Sequence, residues 1–580
     1  MEKVTLTIDG VSVTVDKGIT VLEAAKAAKI EIPTLCFLKE INEVGDCRMC
    51  IVEVEGARGL VASCMYPVAE GLVVKTHTPK IIETRKAMLE LILSNHNKNC
   101  LSCSRNLNCE LQNLAMKYNI GDNIYEGEQT LPDIDKSSNC IQRDTSKCIL
   151  CRRCVNVCKK VQGVDAIANM HRGFKTKVSI ALGKNIAQSP CVGCGQCIVN
   201  CPTAALKETP YSSDLLKALQ DPNITVIVQT APSVRAALGE EFGMEAGTLV
   251  TGKMVAGLKL LGFDKVFDTN IGADITIVEE GTEFIDRIKH DGVFPMITSC
   301  SAGWVNYAEE FYPQLLPHLS STKSPMQILG TLIKTYYAEK MKIEPSKIYS
   351  VAIMPCTAKK DEIERKQLEV NGMKVVDTVL TTRELARLMK QYNVDLNNMQ
   401  DVDFDNPLGL STGSGAIFGK TGGVMEAAIR TLSDLTNDVP IEKIDYEIKD
   451  EKGYIKEATV NLGGADVKIC TVQTLKAAEK VLKEIIDGTS QYQFIEIMAC
   501  PGGCIMGGGQ PIIRFNQDAE EIKKKRTASL NSVDENSKYR LCHKNPQVLE
   551  IYEDYLGKPN IGLSHKLLHT SFAQQEIYGE

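Results

Sequence analysis

The chain of 580 residues carries 22 cysteines, and their spacing says what they are for. The stretch Cys500-Pro501-Gly502-Gly503-Cys504-Ile505-Met506-Gly507-Gly508-Gly509 sets two thiols four apart among glycines. Glycine lets a backbone wrap closely around a bulky group and adopt the unusual dihedrals this needs. Two isolated cysteines stand far upstream, in Met354-Pro355-Cys356-Thr357-Ala358-Lys359 and in Thr298-Ser299-Cys300-Ser301-Ala302-Gly303-Trp304. Most of the others lie between Cys36 and Cys201 in short repeated spacings. Disulfides have no need of a repeated Cys-x2-Cys, whereas metal clusters do.

The clearest signal is Cys148-x2-Cys151-x2-Cys154-x3-Cys158 followed by Cys191-x2-Cys194-x2-Cys197-x3-Cys201-Pro202. This is the bacterial two-cluster pattern, in which each run gives three thiolates to one [4Fe-4S] cube and its fourth to the other. It groups Cys148, Cys151, Cys154 with Cys201, and Cys191, Cys194, Cys197 with Cys158, in two halves related by a pseudo-two-fold axis. Nearer the N-terminus, Cys36-x10-Cys47-x2-Cys50-x13-Cys64 offers four thiolates to a [2Fe-2S] cluster or a structural zinc. Between them, His96-x3-Cys100-x2-Cys103-x5-Cys109 offers one imidazole and three thiolates, a set that suits zinc or iron.

The elements that must hold these residues are legible in outline. Alternating residues 4–8 and 11–15 around Asp9-Gly10 predict a hairpin, and Thr20 is placed to cap a helix over 20–29. A helix over 80–94 leads into the histidine-containing motif, and polar, acidic residues 120–139 read as a linker. A boundary falls near Tyr211. Beyond it, short apolar runs (Thr225–Val228, Val266-Phe267, Val351–Met354) alternate with helix-length segments, the texture of an α/β domain of two sheet-and-helix lobes with the motif loops in the cleft. Gly415–Thr421 looks like a phosphate-binding loop but is one residue short, with Ser414 where the first glycine should be. It reads instead as glycine-rich packing near the cluster.

The three loops around Cys300, Cys356 and Cys500/Cys504, in this order, resemble the signature loops of [FeFe]-hydrogenases, which hold the H-cluster: a [4Fe-4S] cube joined through a cysteine to a di-iron centre. The N-terminal motifs resemble the accessory-cluster domains of the same family and of respiratory complex I. The resemblance covers essentially the whole chain and implies an α/β multidomain fold: a β-grasp-like [2Fe-2S] domain over 1–78, a one-histidine/three-cysteine [4Fe-4S] segment over 79–119, a two-[4Fe-4S] ferredoxin-like domain over 138–209, and an H-cluster domain over 212–580. The implied cofactors are one [2Fe-2S], three accessory [4Fe-4S] clusters and one H-cluster with CO, CN and dithiolate ligands.

Carried residue by residue, the resemblance makes Cys356, Cys500 and Cys504 ligands of the cube, with Cys504 bridging to the di-iron unit. It makes Lys359 a charged donor to a cyanide ligand, and Ala231, Pro232, Ser233, Met354, Met498 and Phe418 the pocket lining. It makes Arg287, Glu283, Ser320, Glu280 and Cys300 the proton path. Taken alone, the i, i+3, i+7 spacing of Glu280, Glu283 and Arg287 shows one helix face, and a solvated charged face is the ordinary reading. The chain departs from the family where Thr-Ser-Cys-Cys-Pro becomes Cys300-Ser301-Ala302. Strict register leaves Cys300 as the proton thiol and Ser301 as an oxygen ligand; thiolate chemistry moves Cys300 onto the cube. Met326 stands where a glutamine is expected.

Net charge of -7 argues against a nucleic-acid surface. No apolar run reaches 18 residues, and the N-terminus lacks a secretory pattern, so a cytoplasmic protein without a membrane span is expected. With no Rossmann or flavin motif, pyridine nucleotide would have to react on another subunit. The Cys-Ser loop looks more like that of multimeric members. The expected activity is reversible oxidation of H2 and reduction of protons. Electrons would pass to ferredoxin and, through flavin- and NAD(P)-binding and small [2Fe-2S] partner subunits, to NAD(P). The alternatives are a monomeric ferredoxin-only enzyme and a hydrogen- or redox-sensing protein of the same fold. Cys140, Cys470 and Cys542 read as structural thiols, Trp304 as a wedge against the cluster domain, and the histidines other than His96 as mostly solvent-facing.

Overall fold

The computed structural model describes residues 2–121, 125, 127–211, 213–437, 439, 441–514 and 517–578. Part of the expected linker, at 122–124 and 126, and the domain limits at 1, 212 and 580 lie outside the described residues.

The first hairpin forms as the alternation requires: β1 (Lys3–Ile8) and β2 (Val11–Asp16) pair antiparallel with Val4 opposite Val15, and Asp9-Gly10 turns with both residues at positive φ. The helix Val21–Ala27 is capped by Thr20, whose hydroxyl accepts from Glu23 N–H while the Glu23 carboxylate reaches back to Thr20 N–H. With β3 (Ile51–Val54), β4 (Val61–Ala62) and β5 (Val73–Lys75), the hairpin makes a sheet in the order β2-β1-β5-β3-β4. Its core includes Leu6, Ile8, Val21, Cys50 and Cys64. The helix Pro79–Ser94 follows, started by Thr78 as cap and Pro79 in its first turn.

In the ferredoxin-like part, β6 (Ile134–Asp135) and β7 (Ile141–Asp144) lie in one sheet, and β8 (Ala168–Met170) pairs with β9 (Lys177–Ser179). β10 (Leu206–Glu208) pairs with β7. The two cysteine runs show their internal symmetry in the backbone. Leu150 and Arg152 in the first, and Gly193 and Gly195 at the same places in the second, all have φ between 55 and 70°. Each run then enters a helix, Arg153–Lys160 or Gln196–Val199.

Beyond Tyr211 two sheets form. One is wholly parallel, in the order β12 (Lys265–Asp268), β11 (Thr225–Thr230), β14 (Ile348–Met354), β15 (Thr378–Thr381). Its strands are buried along almost their whole length, as a sheet covered on both faces requires. The other is mixed, β13 (Met296–Ile297), β19 (Phe494–Met498), β18 (Ala465–Gln473), β17 (Ile455–Leu462), β16 (Glu447–Ile448). The long helix Thr269–Lys289 lies between the lobes, packing on the first core through Ile271 and Ile275 and on another through Ala273, Ile277 and Phe284. The signature loops leave the C-terminal ends of β13, β14 and β19, where ligands of parallel α/β sheets bind. Among the described residues no helix is long and apolar enough to cross a membrane.

Candidate active site and its approaches

The cysteines converge in groups. Cys148, Cys151, Cys154 and Cys201 line one cavity, and Cys158, Cys191, Cys194 and Cys197 line the next. This is the interleaved grouping that the spacing anticipated. Cys36, Cys47, Cys50 and Cys64 lie together, with the Cys50 and Cys64 sulfurs 3.2 Å apart. Among the described residues no three His, Cys, Asp or Glu side chains close on a single-ion position. The thiols stand around cavities, as donors to a cluster must. His96 is largely buried with Nδ1 unpartnered, and burial pushes its imidazole down to about 4, which leaves it neutral, the form that binds metal.

Polar seams join these groups in series. Fully buried Asn42 donates through Nδ2 to the Cys36 carbonyl at 2.6 Å and to the Cys151 carbonyl at 2.9 Å. Arg105 donates to the Cys201 carbonyl at 3.2 Å, and Arg153 grips Glu110 with two hydrogen bonds of 2.8 and 2.9 Å. The histidine-containing segment is thereby fixed beside the first ferredoxin-like cavity.

The second cavity meets the loops around Cys356 and Cys500–Gly509. Thr357 Oγ1 donates to the Gly193 carbonyl at 2.6 Å, and Gln196 Nε2 to the Met506 carbonyl at 3.1 Å. A Cβ on Gly508 would stand 2.3 Å from the Cys194 carbonyl oxygen and 2.7 Å from Gly195 Cα, so both glycines are dictated by backbone-to-backbone contact. Arg383 holds this seam from behind, donating to the Gly508 and Gln510 carbonyls at 2.8 and 2.5 Å and to Glu208 at 2.7 Å. Trp304 is fully buried in a core with Val192, Cys191 and Cys194 beside it, the wedge position expected.

At the loops themselves Cys356, Cys500 and Cys504 face one another, buried thiols whose protonation burial favours. Gly502 and Gly503 have φ of 92 and 85°, and a Cβ on Gly507 would strike the Pro355 carbonyl oxygen at 2.3 Å. Three converging thiols in a glycine cradle fit a cube held close to backbone. Met354, Met498, Phe418, Ala231, Pro232 and Ser233 are all buried, Met354 and Met498 just ahead of Cys356 and Cys500 in the chain, and Ser233 Oγ has no protein partner. Lys359 Nζ donates to the Cys300 carbonyl at 3.1 Å and pairs with Glu362 at 2.7 Å, which leaves one of its three donors. Met326 is buried, and neighbouring Gln327 has Nε2 unpartnered.

Cys300 and Ser301 diverge. Ala499 N–H donates to Ser301 Oγ at 3.4 Å, next to Cys500, whereas the groups that act most strongly on the Cys300 thiol are Glu280 and Lys359. The expected relay residues lie in one neighbourhood: Arg287 donates to Glu283 at 2.7 Å and Ser320 to Glu283 at 2.9 Å, while Glu280, next along the same helix face, has Oε2 unpartnered. Glu280 is fully buried, and burial, reinforced by Glu283, raises its carboxyl to about 8. Glu280, Glu283 and Ser320 are all buried, so the ordinary reading of a solvated face is wrong here: the helix carrying it lies between two lobes.

One histidine is an exception to the mostly solvent-facing set. His569 is not solvent-facing: its side chain is 3% exposed and bonded to fully buried Glu279. No local pattern reveals this, because its partners lie 248 and 290 residues away.

An α/β domain fused to ferredoxin-like iron–sulfur domains defines an iron–sulfur oxidoreductase. Family descriptions match in the same order along the chain: "2Fe-2S iron-sulfur cluster binding domain" over 1–79, "NADH-ubiquinone oxidoreductase-G iron-sulfur binding region" over 85–123, and "4Fe-4S dicluster domain" over 147–205. "Iron only hydrogenase large subunit, C-terminal domain" matches 224–508, and "Iron hydrogenase small subunit" matches 520–575. The chain is 45% identical to the NADP-reducing hydrogenase subunit HndD of Solidesulfovibrio fructosivorans, over 99% of this chain and 100% of that one. It is 40% identical to iron hydrogenase 1 of Clostridium pasteurianum over 98% and 99%. A solved structure of the [FeFe]-hydrogenase HydA1 from Chlamydomonas reinhardtii aligns with a TM-score of 0.57 at 35% identity, covering 63% of this chain and 99% of that one. This chain belongs to the iron-only, or [FeFe]-, hydrogenases.

Proposed function

We propose that this hydrogenase is the catalytic subunit of an NADP-linked, multi-subunit enzyme. Cys356, Cys500 and Cys504 would hold an H-cluster, which would supply the chemistry of H2 oxidation, and the upstream thiols would hold the accessory clusters that carry its electrons outward. The reading is supported above all by the glycine-to-glycine seam of Gly195 and Gly508, which brings Cys194 beside Cys500. The ligand sets are those of the spacing: Cys191, Cys194, Cys197 and Cys158; Cys148, Cys151, Cys154 and Cys201; His96, Cys100, Cys103 and Cys109; Cys36, Cys47, Cys50 and Cys64. The NADP link follows HndD, whose name gives that acceptor. Ferredoxin is the second acceptor we assign.

An H-cluster bound here would supply the iron chemistry that splits or forms hydrogen. The protein's task is to exclude water, hold the charge and move protons. Met354, Met498, Phe418, Ala231, Pro232 and Ser233 wall the pocket, and a dry shell strengthens each polar contact inside it. Lys359 presents its free N–H as a charged donor, kept in place by Glu362 and the Cys300 carbonyl. Protons pass between the Cys300 thiol and Glu280, then by Ser320 to Glu283 and Arg287 near the surface. Glu280, with its carboxyl near 8, changes charge at little cost near neutral pH. Ser301, whose Oγ accepts from Ala499 N–H beside Cys500, would serve as the fourth donor to the cube, through oxygen.

The test is anaerobic H2 oxidation by the matured chain, first with a viologen dye, then with NADP and with ferredoxin, alone and with partner subunits. Dye reduction by the chain alone, with NADP reduced only when flavin-binding subunits are added, is the expected result. Ferredoxin-only activity under all conditions would make it a stand-alone enzyme, and absence of dye activity from a fully loaded chain would make it a sensor.

A further inference from the structure

The Glu283 carboxylate has more partners than a relay needs. Besides Arg287 and Ser320 it accepts from Ser321 N–H at 3.0 Å and lies 3.2 Å from Ser321 Oγ. The same Ser321 oxygen is 2.8 Å from His569 Nδ1, and the other ring nitrogen of His569 is 3.1 Å from Glu279 Oε2. Glu279 also accepts from the Tyr552 and Ser564 hydroxyls and from Asn560 N–H at 2.6 Å. His565, exposed, stacks on His569 at 4.5 Å and meets Asn560 Oδ1 at 3.1 Å. Every partner of Glu279 named here comes from the 520–575 segment, which matches the small-subunit family. A set of side chains from the far end of the chain thus reaches the middle of the proton path.

We propose that His569, held by Glu279, is a positioning residue of the proton relay that acts on Glu283 through the Ser321 hydroxyl. This rests on the reading of Glu283 as a relay carboxylate. A hydroxyl has one proton to give, and Ser321 has two acceptors, His569 Nδ1 and Glu283. Burial opposes the charge of Glu279, but its hydrogen bonds from His569, Ser564, Tyr552 and Asn560 outweigh it and hold its carboxyl below the usual range. A carboxylate there takes Nε2–H from the neutral ring, which leaves Nδ1 bare and draws the Ser321 proton to it. Glu283 then has one donor fewer and holds a proton more readily. When the ring takes a second proton, Nδ1–H donates to Ser321, Ser321 turns its proton to Glu283, and the carboxylate form is favoured.

The charged and titratable groups facing this switch are few. Glu279, Glu283, Asp286 and Arg287 come from the helix Thr269–Lys289, and Asp286 is reached only through Asn560 Nδ2 at 2.9 Å. From the strand-like stretch after Ser320 comes Lys323, whose N–H donates to the Leu568 carbonyl and whose ammonium burial brings down to about 8. Among the described residues His565, Tyr552, the buried carboxyl of Glu280 beside Glu283, and the His318 ring beside Arg287 also face it.

The test uses the full-length, matured protein with dye-linked H2 oxidation, kcat and KM being followed against pH. In His569→Gln the amide still donates to Glu279 but Nδ1 is gone, so Ser321 donates to Glu283 at all pH values. The midpoint of kcat falls by about 0.7 unit, about fivefold in proton affinity, the effect of one hydrogen bond. Ser321→Ala, a small change that spares the buried pair, leaves the midpoint at the wild-type value, because the neutral ring already keeps that proton from Glu283. The double variant behaves as Ser321→Ala alone, because the link is already cut, and KM for H2 stays put in all three. A midpoint unmoved by His569→Gln, or moved equally with and without the Ser321 hydroxyl, overturns the proposal. Glu283→Gln separates the two readings. If it turns over at the wild-type rate, the relay itself is misassigned; if it is slow while His569→Gln keeps the wild-type profile, only the role of His569 falls.

Discussion

Replacing Asp274 by asparagine should raise stability at neutral pH and leave hydrogen turnover alone. Asp274 sits on the helix that carries the relay, fully buried, accepting from Thr412 Oγ1 at 2.5 Å, Thr412 N–H at 3.0 Å and Asn545 Nδ2 at 2.8 Å. Its partners are neutral, and burial outweighs them, raising the carboxyl to about 7. In the unfolded chain it titrates near 3.9. The folded state therefore keeps a proton that the unfolded state gives up, so this site's stability is full below about pH 4 and drains away as pH rises to 7. Three units at about 1.4 kcal/mol each make about 4 kcal/mol above pH 7, and about 1.5 kcal/mol at pH 5.

Asparagine removes that loss and can keep the contacts. Its carbonyl accepts from Thr412 N–H and Asn545, while its amide donates to Thr412 Oγ1, whose proton turns to Cys542 Sγ at 3.9 Å. Over the ~350 residues of the catalytic part, at ~2.1 cal/mol/K per residue, 4 kcal/mol is about 5 °C. The assay is loss of the catalytic centre's CO and CN infrared bands on heating at fixed scan rate, at pH 5 and pH 8. The variant should gain about 5 °C at pH 8, well under half of that at pH 5, with unchanged dye-linked kcat. A variant as pH-sensitive as the parent, or less stable at pH 8, would refute the reasoning.

Three further outcomes are expected. Ser301→Cys should alter the electron paramagnetic resonance of the catalytic cube, since a thiolate would replace an oxygen on the Cys500 side; identical spectra and rate would count against serine ligation. Arg383→Gln leaves Glu208 buried with Arg387 alone and frees the Gly508 carbonyl, so it should cost about 3–5 kcal/mol, read as an earlier loss of the infrared bands on heating. Fully matured chain should carry about 20 iron atoms by chemical assay, falling to about 14 when the catalytic centre is withheld.

What could be read from the sequence is what depends on short spacing. The paired cysteine runs predict their own cavities because each fourth thiol crosses to the partner run within a few dozen residues, and the capping box at Thr20 and Glu23 is wholly local. The three catalytic loops were legible as glycine and cysteine at strand ends. Glu280, Glu283 and Arg287 were legible as one face of a helix, but not as buried, since burial is decided by two lobes hundreds of residues apart. His569, Arg383 and Asn42 were missed for the same reason. Each is a polar side chain with a partner more than 100 residues off, and no periodicity records such a pairing.

Where Gly195 faces Gly508, neither position has room for a side chain, and each backbone serves as the other's wall. Neither domain can be redesigned at this border by itself. Exchange of the electron-carrying front end between related enzymes should therefore succeed when the cut is made ahead of the two-cluster unit, and fail when it is made behind it.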